Sequence, residues 1–76
     1  MNRISKEQLL HLREKYLPGT RVELLKMNDP YSDLSRGDTG TVISVDDIGT
    51  IHVSWDSGSS LGIVYGEDSC RVIETQ

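Results

Sequence analysis

Seventy-six residues with a net charge of −4, one cysteine and no phenylalanine make one domain near the lower size at which an apolar core suffices alone. The charge is divided: residues 1–26 hold six Lys/Arg against three Glu, and residues 27–76 hold two Arg against nine Asp/Glu. The single Cys70 excludes an internal disulfide, and the acidic body disfavours phosphate neutralisation as a binding principle.

Residues 4–17, ISKEQLLHLREKYL, predict a helix. Ser5 is a good N-cap, Gln8 completes a capping box, and Ile4 can staple onto Leu9. Leu9, Leu12 and Tyr16 share one face, with Leu10 and Leu17 widening the stripe; Pro18-Gly19 ends it. A helix this short needs packing, so it is expected to cover an open end or edge of a sheet. After it come five β segments: 21–27, 39–45, 50–55, 60–65 and 70–74. Between the first two lies the polar loop NDPYSDLSRGD, residues 28–38. Short strands with tight connections predict a small barrel or sandwich.

The register follows from the turns. With Asp47, Ile48 and Gly49 as a three-residue loop, Asp46 faces Thr50, Val45 faces Ile51 and Ile43 faces Val53. With Asp56, Ser57 and Gly58 as the next loop, Trp55 faces Ser59 and Ile51 faces Ile63. Strict alternation then puts Thr41, Ile43, Val45, Ile51, Val53, Trp55, Leu61, Ile63 and Tyr65 on the core face. Val42, Ser44, His52, Ser54, Ser60, Gly62 and Val64 fall on the other. Asp46 and Asp47 lie at one end of the central strand and Asp56 at the other, roughly 20 Å away. They read as turn residues rather than as ligands of one metal ion.

Nothing points to an enzyme or to a cofactor. Cys70 reads as a small buried hydrophobe on the last strand, and no motif brings His11 or His52 to it. Gly66-Glu67-Asp68 reads as a turn whose acids could reach Arg71. No apolar run approaches the ~20 residues of a membrane span, and the N-terminus lacks a signal-peptide pattern. A cytoplasmic location is the expectation. For binding, Asp29, Tyr31 and Asp33 in the long loop and Tyr65 at a strand end could border one groove for a basic or proline-containing peptide. For Tyr31 itself the favoured alternative is that it folds back and staples its own loop, because a loop this long needs internal packing. His52, on the polar side, keeps a modest claim.

The run PGTRV, M-x-DPY, G-x-x-GTV, VDD-x-GTIHV-x-WD-x-GS-x-LG and GED, spanning about residues 5–74, resembles a small bacterial family designated a domain of unknown function. The resemblance implies an SH3-like barrel with a leading helix, in a family often found in genomes rich in phage and mobile elements, and it brings no activity. Where that family commonly shows an aromatic, this chain has Cys70. The segment GTV…VDDIGTIHVSWDSGS is also similar to the Mib/Herc2 type of SH3-like module, which recognises protein segments. The expectation is a single domain, residues 1–76, with a helix over 4–17 and a five-stranded SH3-like barrel over 20–75. It would be a non-enzymatic interaction or accessory domain with a protein or peptide partner. The alternatives are a nucleic-acid-associated domain using Arg3, Lys6, Arg13, Lys15, Arg21 and Lys26, or an acidic inhibitor of a host nucleic-acid-binding protein.

Overall fold

The computed structural model describes residues 4–75, so Arg3 lies outside it. Helix α1 runs Lys6–Lys15, followed by strands β1 (Arg21–Lys26), β2 (Thr39–Val45), β3 (Ile51–Trp55) and β4 (Ser69–Glu74). The strands form one antiparallel sheet in the order β3-β2-β1-β4. The fold is therefore mainly β, an open four-stranded sheet with one helix. No helix among the described residues is long and apolar enough to cross a membrane.

The capping box forms as expected. Ser5 Oγ accepts the Gln8 N–H at 3.1 Å, and the Gln8 side chain accepts the Ser5 N–H at 3.0 Å. Ile4, just before the cap, reaches the β2–β3 turn, where a Cβ on Gly49 would meet its Cδ1 at 3.1 Å. Leu12 packs against the core and Tyr16 is buried, whereas Leu10 and Leu17 are exposed. No residue of α1 itself is buried, because Tyr16 stands at its C-cap.

Both expected three-residue turns are present. The Asp46 and Gly49 amides donate to Thr50 and Asp46 carbonyls at the first turn, and Trp55 and Gly58 amides donate to Ser59 and Trp55 carbonyls at the second. Gly49 and Gly58 take φ of +85° and +99°, the left-handed region in which a Cβ is costly.

Two expectations about the sheet fail. The first is strict alternation along β2. Val45 pairs with Ile51 and Ser44 with His52, but Val42, not Ile43, pairs with Val53. A bulge at Ile43 inverts the phase: Val42 is 2% exposed and Ile43 55%. Gly40 is also turned inward, and a Cβ there would lie 2.6 Å from Val53 Cγ1 and 2.9 Å from Trp55 Cε3. The second is the strand expected at 60–65, which survives only as an isolated bridge between Ile51 and Ile63. Their amides and carbonyls exchange bonds at 2.8 and 2.9 Å. Two residues before Ile63, the carbonyl of Leu61 accepts the Trp55 indole Nε1–H at 2.7 Å, and its amide turns to Ser59 Oγ. The side chain of Trp55 thus takes the acceptor that a ladder bond to Val53 would use.

The core is Tyr16, Val22, Leu24, Val42, Ile51, Val53, Trp55 and Ile63. The bulge sets a sharp mutational contrast. Val42→Ala should cost about 2 kcal/mol of unfolding free energy in urea titration, the worth of a fully buried valine. Ile43→Thr should stay within ~0.5 kcal/mol, as for a surface change.

Candidate functional site

Loop 28–38 is held at both ends and in its middle. At its root, the Asn28 amide donates to Asp68 Oδ1 at 2.8 Å and its side-chain amide to Glu67 Oε2 at 3.1 Å. At its far end, the Gly37 amide donates to the Leu24 carbonyl, and the Leu24 amide to the Asp38 carbonyl at 2.7 Å. Asp38 Oδ2 also accepts the Ser35 amide. In the middle Leu34 packs against the core, as Met27 does before the loop begins. The internal packing that a loop of this length needs is thus supplied by Leu34.

Tyr31 is left outside that arrangement. It is 94% exposed, yet its backbone is fixed: its amide donates to Asp29 Oδ1 at 2.9 Å, and the Ser32 amide to the Asp29 carbonyl. This is an Asx-turn that presents the ring on an ordered support. The alternative in which Tyr31 staples its own loop is therefore not realised. Asp29 and Asp33, on either side of Tyr31, are exposed.

Beside the loop root lies a cleft of about 240 Å³. It is lined by Leu12 and Tyr16 of the helix end, Ile51 and Ile63 of the core, and Tyr65, Asp68 and Cys70 around the last turn. Asp68 joins the two features: one oxygen holds the loop root, and the other accepts the Val64 amide at 2.9 Å. Of the residues expected to share a groove, Tyr65 lines this cleft; Asp29, Tyr31 and Asp33 lie along the loop that starts at its rim. Tyr16 Oη donates to the Cys70 carbonyl at 3.3 Å, and burial, with the neighbouring Cys70, pushes its pKa up to about 12. Burial likewise pushes the Cys70 thiol up, which suits an inert packing residue.

His52 belongs elsewhere. Its Nε2 lies 2.9 Å from Asp46 Oδ2, while Asp46 Oδ1 accepts the Thr50 and Ile48 amides. Burial raises the Asp46 pKa, but the His52 contact and those two N–H groups outweigh it and leave the carboxyl below its ordinary value. The pair braces the β2–β3 turn. Its spacing, i to i+6 across a three-residue turn, carried the signal once the register was known.

Asp47, Asp56 and Glu23 are structural ties. Arg13 bonds Asp47 at 2.7 Å and the Val45 carbonyl, fixing α1 to the turn. Arg21 grips Asp56 with two bonds of 2.8 and 2.6 Å, and Thr39 Oγ1 donates to the same carboxylate. Arg71 pairs with Glu23, not with Glu67 or Asp68, because β4 lies in register with β1 there. Among the described residues no group of three or more His, Cys, Asp and Glu side chains could hold a metal ion.

Residues 5–73 match the family model described as Domain of unknown function (DUF4314). No curated protein and no solved structure matches the chain.

The Arg21 grip has a pH signature. Arg21, then Thr39, hold the Asp56 carboxyl well below the usual carboxylate range. A lowered folded-state pKa stabilises fully above the ordinary value of 3.8 and is lost as the pH falls below it. Melting temperature should therefore fall on acidification below about pH 4. Asp56→Asn should flatten that acid limb and lower the melting temperature at neutral pH, both checked by circular dichroism.

Proposed function

We propose that this chain, which belongs to the DUF4314 family, is a non-enzymatic interaction module. It binds a protein or peptide segment through loop 28–38 and the neighbouring strand ends. The observation that carries this reading is Tyr31, an aromatic ring 94% exposed on a loop that is otherwise hydrogen-bonded and packed. A tyrosine supplies large contact area at low entropic cost, and an ordered support lowers that cost further. Asp29 and Asp33 beside it, with Glu67 and Asp68 at the loop root, give the surface an acidic character suited to a basic segment. We take the fold as an open SH3-like barrel. In support, segment 60–65, β3, β2 and β1 follow one another as neighbours, and β4 returns to the far side of β1.

The basic N-terminal segment is weakened as a phosphate-binding surface by its own partners, since Arg13 and Arg21 are each engaged by a carboxylate.

Selection of displayed peptides should yield basic or proline-containing sequences that bind the wild-type domain. Tyr31→Ala should weaken them about tenfold or more while leaving urea stability within ~0.5 kcal/mol. Equal binding by the variant would remove Tyr31 from the site. A salt-sensitive mobility shift of labelled DNA or RNA by micromolar protein would overturn the reading in favour of nucleic acid.

A further inference from the structure

The cleft beside the loop root combines three kinds of surface. Leu12, Ile51 and Ile63 make it apolar, Tyr16 and Tyr65 bring two aromatic rings, and Asp68 brings a carboxylate. At about 240 Å³ it is smaller than the pockets of drug-sized ligands, so it suits a single side chain or a small molecule. We propose that it receives an alkylammonium group, either a lysine side chain of a partner or a free alkylamine. The methylene stem lies against Leu12, Ile51 and Ile63, and the ammonium sits at Asp68 beside the tyrosine rings.

Each part of the ligand has its counterpart. An alkyl stem gains from apolar surface while its charged end stays at the rim. A cation is attracted by the face of a tyrosine ring and by a carboxylate. Asp68 needs no reorganisation to meet it, because the Asn28 and Val64 amides already hold its two oxygens at 2.8 and 2.9 Å. The chain shows the same contact internally: Lys15 Nζ lies 5.4 Å from the centroid of the Tyr16 ring. The surrounding body, with two Arg against nine Asp/Glu over residues 27–76, favours arrival of a cation. Lys15 is the nearby like charge that opposes it. For the lysine source, the inference rests on the interaction-module reading; the cleft chemistry itself does not involve Tyr31.

The test is a titration of ¹⁵N-labelled protein followed by amide shifts, with n-butylammonium chloride and the neutral 1-butanol as probes. Butylammonium should move the amides of Gly49, Ile63 and Cys70 and bind about fivefold more tightly than the alcohol. That contrast should narrow with added salt. Asp68→Asn should abolish the contrast. Because it also disturbs the Asn28 and Val64 bonds, Ser69→Lys serves as a second variant: Ser69 also lines the cleft, and the new ammonium would block it. Lys15→Met should tighten butylammonium binding, and Tyr31→Ala should leave it unchanged, so failure of the loop reading and failure of this one are separable. A capped Ala-Lys-Ala peptide that moves the same amides assigns the lysine source; binding by butylammonium alone assigns a free amine. Equal binding of alcohol and ammonium, shifts elsewhere in the protein, or an undiminished contrast in both Asp68→Asn and Ser69→Lys would overturn the proposal.

Discussion

The extra residue that β2 carries at Ile43 governs how the rest of the molecule packs. Before it, Gly40 and Val42 turn inward, and the backbone at Gly40 approaches Trp55 and Val53 too closely for any Cβ. After it, Val45 comes opposite Ile51 and faces the helix side, where its carbonyl accepts from Arg13. Bulges bend a strand and sharpen its twist. Here the bend lets one strand serve the sheet core with its first half and the helix dock with its second. Trp55, pressed under Gly40, is then held by the Leu61 carbonyl. That bond fixes where segment 60–65 runs and keeps it from completing a ladder. The cleft lies where this segment ends and β4 begins.

Charge works with this frame rather than building it. Exposed pairs such as Arg13–Asp47 and Arg71–Glu23 contribute little stability each. Their effect is on placement and on which charges stay unpaired at the surface. Three arginines are drawn onto carboxylates of neighbouring elements, while Asp29 and Asp33 stay on the exposed loop around Tyr31. The surface around Tyr31 is more acidic than composition alone conveys.

Much of this was legible in the residues. The capping box, both glycine-ended turns and the facing pairs Val45–Ile51 and Ile51–Ile63 follow from local chemistry, because Ser, Gln, Asp and Gly act over three or four positions. The Ile43 bulge was not legible. In TGTVISV, Val42 and Ile43 are both apolar, so either phase fits, and the choice falls to the close approach of Gly40 to Trp55. The loss of the 60–65 strand was hidden for a similar reason: it turns on an indole N–H competing for a carbonyl, which no hydrophobic pattern records. In the loop, the pattern singled out Tyr31 as an internal anchor and not Leu34. The purely apolar one went inside, which left the tyrosine on the surface. The Arg71–Glu23 pair likewise needs tertiary register before it can be seen.

The order of strands in space differs from their order along the chain, and this has a kinetic consequence. β1 lies between β2 and β4, so one of its two edges is completed by the strand made last; Glu23 and Arg71 meet across 48 positions. The β2–β3 hairpin can close early through its own short turn. β1 must hold its second edge open until β4 arrives, and loop closure of that length slows the final step. During synthesis the row of β1 amides and carbonyls that β4 will cover is therefore open to pairing with another chain until β4 forms.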